Sequence, residues 1–532
     1  MSRTPSPDRI AAHLRRLRED PQSVNPPGWR ADFADGPWPV KVHRGGERVP
    51  PSGALARVLA GAVAVTAVRG PRATLRRAVP SGGAMHPTET YVVAAERLWH
   101  VDPYRMELLA LPGSPGARLR AGLRLAPDAP LPAVVLLLTS RFWKNFYKYG
   151  EFSYRLGAVD AGVVLGRLMR LSTAEFGPSR VWTDFADDTL NTSLGVDGRD
   201  ESVYAVVGCG PATRAADPAG DDAVFRAADG AGAPPLAAPE LLERSRRIKR
   251  SPMFDLVHAS ARATPLAADL PATPPPATQP AAAQPATAQP AAAQPATAQP
   301  ATAGPTTAEP PGFQFDAGQP QPPRRGAVAL PAPVAVDPAD PAVIVRRRSG
   351  GAQFTGAPAD PAQLATVLRH GADAVTGLLR CGDTAPATSL YVAVHRVRDI
   401  PPGWYAHDRG RLTPAGRGPD PALGPYLQAA MFGDGVNAEL AAFTVHVAAS
   451  PRYACRSARH YRTQQLAVGV AMDAVILAAT AAGLGNHPFL GFDAPAIDAA
   501  YGLDGHDAGT QAQICVGAVR AGLDWEVTVR HG

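Results

Sequence analysis

The chain reads as α+β, in two copies of one fold joined in tandem, and three observations predict this. Strand-like and helix-like stretches are mixed without the regular strand–helix–strand alternation of a parallel sheet. Tyr154 to Gly198 aligns without a gap on Tyr461 to Gly505 at a constant shift of 307. A long low-complexity stretch separates the two similar regions. The expected boundaries are residues 1–260 for the first copy, 261–325 for a linker and 326–532 for the second copy.

Each copy is expected to run through the same elements in order. A helical N-terminal part comes first. A glycine turn follows in the first copy, Pro80-Ser81-Gly82-Gly83, where the second has Arg380-Cys381-Gly382-Asp383. Next comes a strand rich in β-branched and aromatic residues, Tyr91 to Ala94 and Tyr391 to Val394, related by a shift of 300. A second strand is predicted over Val134 to Thr139 and Phe443 to Ala448, and a last one over Tyr204 to Val207 and Gln513 to Val516.

A long helix lies before the last strand. Val159/Leu466, Leu168/Val475 and Met169/Ile476 are apolar in both copies, at the three- to four-residue spacing of a helix with a buried stripe. In the second copy it is crowded with small residues: Ala471, Ala474, Ala478, Ala479, Ala481 and Ala482. Such a helix is either a tightly packed core element or one that packs closely on its counterpart.

In the linker, pentads of Gln-Pro-Ala-(Ala/Thr)-Ala begin at Gln279, Gln284, Gln289, Gln294 and Gln299. Proline every fifth residue forbids a helix, and nothing there is apolar enough for a core, so a semi-extended, disordered tether is expected. The net charge of +6 is dispersed; its densest cluster, Arg244, Arg246, Arg247, Lys249 and Arg250, lacks the aromatic interleaving of a nucleic-acid surface. The four cysteines, Cys209, Cys381, Cys455 and Cys515, form no CxxC pair and read as reduced thiols. No apolar leader is visible, and the strongest apolar run, Ala133 to Leu138, is a strand length. A cytoplasmic protein with neither a membrane nor a nucleic-acid partner is expected. P-loop, GxGxxG and HExxH motifs are absent, and no metal site is predicted.

What remains is more specific. Pro80, Ser81, Gly82 and Gly83 form a turn that lets backbone approach a flat ligand and offer N–H groups to it. Arg141 to Arg155, RFWKNFYKYGEFSYR, carries Lys148 beside Tyr149. By itself such a pair reads as an amphipathic surface loop. In a site, a neighbouring ammonium lowers a phenol's pKa, and the tyrosinate serves as a base.

PSGGAMHP, an apolar strand, KYGxxxYR before a helix and then FADDTLNTSLGVDG, in that order, resemble the SagB-type azoline dehydrogenases. These are FMN enzymes of the nitroreductase-like superfamily that act in making ribosomal peptides with thiazole and oxazole rings. The resemblance covers roughly 32–260, and DFADGPWPVKVHRGGERVP fits its opening. It implies a central, mainly antiparallel sheet flanked by helices, FMN as cofactor, an azoline-containing precursor peptide as substrate and a cyclodehydratase complex as partner. In the implied reaction Tyr149, helped by Lys148, removes the ring α-proton.

The second copy resembles the broader nitroreductase-like fold. Arg347, Arg348 and Ser349 look like the first three places of a phosphate-holding Arg-Arg-Ser-x-Arg motif, although Gly351 stands where the last arginine belongs. Two guanidiniums and a hydroxyl suit a phosphate. AAGLGNHP, around Gly483 and Gly485, resembles the loop whose backbone faces the flavin. Members of that superfamily work as homodimers with FMN between subunits. The resemblance therefore implies a fused pseudo-dimer with one complete site, to which each copy contributes what the other lacks. Two alternatives stand beside it: an NAD(P)H-dependent FMN reductase of nitro, quinone or ene groups, and a silent scaffold of a peptide-modifying complex.

Overall fold

Thr88–Ala94 is buried along its whole length because it is the middle strand of a sheet, paired antiparallel with Arg97–Asp102 on one side and Leu131–Arg141 on the other. The sheet continues in the order Arg48–Val49, Glu107–Leu111, Arg97–Asp102, Thr88–Ala94, Leu131–Arg141, Glu201–Thr213, Arg180–Trp182. A second seven-stranded sheet runs Val328–Ala329, Arg411–Pro419, Gly403–Asp408, Thr388–Val394, Phe443–Ala449, Gly509–Gly517, Gly485–Phe489. Ranked by chain order within each half, both sheets follow 1-4-3-2-5-7-6, and all their pairings are antiparallel. Every strand expected from the sequence lies within one of these longer strands.

This computed structural model describes residues 7–25, 29–70, 74–213, 239–242, 251–266, 326–347, 353–381, 386, 388–433, 435–520 and 526–529. The pentad tract, the basic cluster from Arg244 to Arg250, Arg348, Ser349, Gly382 and Asp383 lie outside the described residues. The helix Pro252–Ala263 runs past the boundary expected at residue 260.

Two 24-residue helices, Ser153–Phe176 and Ala458–Ala481, form the centre. The sequence aligns them at a shift of 307, and the structure packs them against each other. A Cβ on Gly162 would lie 2.2 Å from the Leu466 carbonyl oxygen, and one on Gly469 would lie 2.3 Å from that of Val159. Gly162/Gly469 and Val159/Leu466 are equivalent pairs, so the contact is reciprocal, as across a two-fold interface. Glycine is required here because backbone, which cannot rotate away, occupies the place of the side chain. Equivalent Tyr154 and Tyr461 stack with centroids 6.1 Å apart. Contacts advance along both helices together, from this pair through Gly162 and Gly469 to Arg167 and Asp473, so the helices run in the same direction.

The second helix is long and apolar enough to cross a membrane, but 89% of its apolar window is buried within the protein. Ala471, Ala474, Ala478 and Ala479 are buried, whereas Ala481 and Ala482 are only partly so. The halves are also joined at an edge: Glu526–Thr528 pairs with Val65–Arg69, which pairs with Thr74–Arg77. That hairpin leads directly into the glycine turn.

Candidate functional site

Three backbone conformations shape the turn after Thr74–Arg77. Gly83, Ala84 and His86 have φ of 59°, 57° and 47°, a region that disfavours side chains. A buried carboxylate holds it. Ser81 Oγ donates to Asp160 Oδ2 at 2.7 Å, the Gly82 N–H donates to Oδ1 at 3.1 Å, and the His86 N–H donates to Ser81 Oγ at 2.9 Å. Asp160 sits on the first central helix. The sequence expectation that the Gly82 N–H is offered to a ligand is thereby corrected: that donor already serves Asp160. Its signal in the sequence was an acid inside the apolar stretch Ala158 to Leu165.

Lys148 and Tyr149 end a short helix, Trp143–Tyr149, of which residues 143–147 are buried, so the segment is no surface loop. Gly150, with φ of 55°, terminates it, and a Cβ there would meet Asn25 Oδ1 at 2.1 Å. The pair presses on the glycine turn. A Cβ on Gly83 would lie 2.1 Å from the Tyr149 hydroxyl and 2.7 Å from Lys148 Nζ. Chemistry separates two residues that spacing alone treats as a unit. Burial pushes Tyr149 up to about 12, with Asp160 and Tyr147 adding to the rise, while burial pushes Lys148 down. Burial outweighs the lowering expected from the ammonium, although Lys148 Nζ lies over the ring, 5.0 Å from its centroid. Tyr149 keeps its proton at neutral pH, and burial eases the loss of a proton from Lys148.

Both halves line one cavity of about 820 Å³. The first contributes Pro80 to Gly83, Tyr149, Asp160 and an apolar wall of Leu156, Val159 and Val163. The second contributes Arg347, Met472 and His487 to Gly491. Arg69, Arg76, Arg77 and Arg347 make one part of the lining cationic, and Arg76 Nε is 3.1 Å from Glu526. Burial, with Arg77, Lys144 and Arg347 near it, drives His86 well below the ordinary imidazole value. Burial takes His487, stacked on Phe489 at 4.2 Å, down to about 4. Asp160, pushed up by burial and pulled back by its Ser81 and Gly82 hydrogen bonds, stands at about 6.

Of the residues expected from the sequence, Pro80, Ser81, Gly82, Gly83, Tyr149 and Arg347 line this cavity, and Lys148 reaches Gly83 beside it. Arg347 is buried, with Nε donating to the Ala78 carbonyl at 3.0 Å and Nη2 to the Arg77 carbonyl at 2.8 Å. Gly483 and Gly485 are not part of the lining. Gly483, with φ of 78°, ends the second central helix; its N–H meets the Thr480 carbonyl and that of Leu484 meets Ala479. Gly485 leaves room for Val519, whose Cγ1 would be 2.2 Å from a Cβ there. The reasons for these glycines are helix termination and strand packing. The strand that follows turns His487, Pro488 and Phe489 to the cavity instead.

No protein-family model matches the chain, and no curated protein matches it. Among solved structures, a putative nitroreductase from Anabaena variabilis is similar over 96% of this chain and 99% of its own, with 18% identity and a TM-score of 0.67. A chain of the E. coli microcin synthetase McbBCD complex, solved with truncated pro-MccB17 bound, is 20% identical over 40% of this chain and 84% of its own, with a TM-score of 0.26. A putative nitroreductase from Ralstonia eutropha is 16% identical over 32% of this chain and 78% of its own, also at 0.26. The first likeness, running through both sheets, shows the nitroreductase-like fold, here as two copies in one chain.

Proposed function

We propose that the chain is an FMN-dependent oxidoreductase that oxidises thiazoline or oxazoline rings of a ribosomal precursor peptide to thiazoles or oxazoles. One observation carries the flavin reading: a single cavity that neither half lines alone, cationic in one part and apolar in another, with the Lys148–Tyr149 pair against its glycine turn. Its volume lies in the range of about 300–1,000 Å³ usual for cofactor sites. The donor set fits FMN. Arg347, whose Nε and Nη2 already serve the Ala78 and Arg77 carbonyls, would lend its charge to the phosphate, with Arg348 and Ser349, next in sequence, as its direct donors; Leu156, Val159, Val163 and Met472 would flank the ring system; and the Pro80–Gly83 backbone would lie alongside.

FMN, when bound, supplies a two-electron acceptor. The chain's own residues govern the proton. Lys148, whose burial lowers its pKa, takes the ring α-proton, acidified by the adjacent carbonyl and imine. Tyr149, held protonated, donates a hydrogen bond to the oxygen or nitrogen on which charge develops. The azoline substrate class and a cyclodehydratase partner rest on the resemblance carried by the first copy's motifs, and a cytoplasmic location rests on the unpaired cysteines.

A second reading is favoured by the same tyrosine. A phenol held near 12 is a proton donor, which suits reduction of a nitro, quinone or ene group with NAD(P)H as electron source. The visible spectrum of the purified protein tests both readings, because a protein without released FMN removes them together. With flavin present, loss of two hydrogens per ring from an azoline peptide under air supports the dehydrogenase. Rapid bleaching by NAD(P)H with no action on azolines replaces it with the reductase.

A further inference from the structure

The two central helices are equivalent in backbone, yet one ion pair between them has no counterpart across the pseudo-two-fold axis. Arg167 of the first helix is fully buried and binds Asp473 of the second in a fork, Nε to Oδ2 at 3.1 Å and Nη2 to Oδ1 at 2.8 Å. At the shift of 307, the place equivalent to Arg167 is held by Ala474 and that equivalent to Asp473 by Gly166. The mirror pair cannot form.

What the pair holds is next to the cavity. The remaining arm of Arg167, Nη1, donates to the Gly61 carbonyl at 2.9 Å and to the Ala78 carbonyl at 3.0 Å. Arg347, from the other half, donates to the same Ala78 carbonyl and to that of Arg77. Two guanidiniums, one from each half, thus converge on a carbonyl two residues before the Pro80–Gly83 turn. Asp160 grips the far side of the turn through Ser81 and Gly82. We propose that the Asp473–Arg167 pair is a cross-copy positioning device: it aims Arg167 at the Ala78 carbonyl, and with Arg347 it sets the height of the Pro80–Gly83 turn in the cavity on one side of the pseudo-dimer only.

Neither Arg167 nor Asp473 lines the cavity, so the pair acts on it through the backbone. Guanidinium suits this task because its planar fork donates to the carboxylate on one edge and still presents N–H groups to carbonyls on another. A lysine's ammonium has three donors but no planar fork to hold the carboxylate bidentately while reaching the carbonyls. The role rests on the flavin-site reading of the cavity for its consequence, but not for its geometry.

The experiment uses the full chain. Removing one charge leaves the other buried and unpaired, which is costly to folding, so the main variant removes both: Arg167→Met with Asp473→Leu. Amide hydrogen exchange over Val79 to His86, measured without added ligand, is expected to accelerate at least about tenfold while the melting temperature stays at or above wild type. Arg167→Lys, which keeps the charge and loses the fork, is expected to accelerate the same segment. Asp187→Asn is the control, because it weakens another buried interface pair, with Arg462 at 2.8 Å. If Asp187→Asn speeds exchange in Val79 to His86 as much, or if neither Arg167 variant changes it, the positioning role is overturned.

FMN titration, followed by flavin fluorescence, is the second arm. The double variant should bind about tenfold or more weakly, the scale expected when a site is displaced by about an ångström. A wild-type protein that binds no FMN refutes the functional reading and leaves the exchange result standing. A wild-type protein that binds FMN, beside a folded double variant of equal affinity, refutes the positioning role alone.

Discussion

Replacing Gly83 by alanine sets a methyl group 2.1 Å from the Tyr149 hydroxyl oxygen, where ordinary contact begins near 3.4 Å. The hydroxyl must therefore retreat by the difference, about 1.3 Å, or the turn must lift. Lys148 Nζ, 2.7 Å from the same point, is the end of a flexible chain and yields readily; the tyrosine ring does not. The backbone adds its own cost, since φ of 59° is left-handed and disfavours alanine by roughly 1–2 kcal/mol. Two separable losses follow. Urea unfolding should show about 1–3 kcal/mol less stability. Turnover of an azoline peptide should fall by roughly 10²-fold, the scale of an ångström's displacement in a positioned group. The informative step is to repeat the substitution in a Tyr149→Phe background. The nearest ring atom is then Cζ at 3.2 Å, and the steric part of the loss largely disappears. Gly83→Ala should cost less stability in that background and add almost nothing to the loss of turnover that Tyr149→Phe already causes. Additive losses in both measurements would refute the argument that glycine is required by the tyrosine, and so would wild-type turnover in the single variant.

The remaining predictions concern the axis, the buried carboxyl and the base. Gly162→Ala and Gly469→Ala each drive a methyl into a backbone carbonyl of the opposite helix, so each should cost more than about 3 kcal/mol or prevent folding; chemical denaturation with a loss under 1 kcal/mol would contradict the packing. Asp160 stands at about 6, above the ordinary carboxylate value of about 4. Between those values the folded state binds the extra proton, so this carboxyl favours folding at low pH, and its contribution falls away as pH rises through 6. The swing is about 3 kcal/mol at most. Asp160→Asn should flatten the melting-temperature profile between pH 4 and 7, and parallel profiles would sink the idea. If Lys148 is the base, rate should rise with pH through its lowered pKa, Lys148→Met should abolish that rise, and Tyr149→Phe should lower the rate while retaining its shape and the bound flavin.

Much of the architecture was legible because the chain states it twice. The 307 shift that aligns Tyr154 with Tyr461 also carries the helix Asp187–Leu194 onto Ala494–Tyr501 residue for residue, and the 300 shift carries Thr88–Ala94 onto Thr388–Val394. Repetition averages away the ambiguity of any single short run. Strands that the sequence reading omitted, such as Arg97–Asp102 and Gly403–Asp408, have charged or mixed patterns and share at equivalent places only their final aspartate. The site was legible in its types more than in its physics. The Pro80 turn and the Lys-Tyr pair were found from residue order. The direction of the tyrosine's pKa was not, because it depends on how deeply the hydroxyl is buried and on Asp160 and Tyr147 near it. Glycines misled for a related reason. Gly483 and Gly83 look alike in sequence and both adopt positive φ, yet one ends a helix and the other makes room for a phenol.

Fusion of two copies changes what a symmetric interface can do. In a homodimer every residue near the axis occurs twice, so a charge placed to serve one site also appears at the other. Here the two requirements separate. The steric demand at the crossing is the same for both helices, and glycine is present in both, at 162 and 469. The electrostatic demand belongs to one side, and the residues differ: arginine opposite aspartate near the cavity, alanine and glycine at the equivalent places. Arg347 and the Pro80–Gly83 turn divide in the same way, one from each half, and meet at the Ala78 carbonyl. A chain that keeps the packing symmetric can still place different residues at equivalent positions, and the lining of the cavity is divided between the halves in that way.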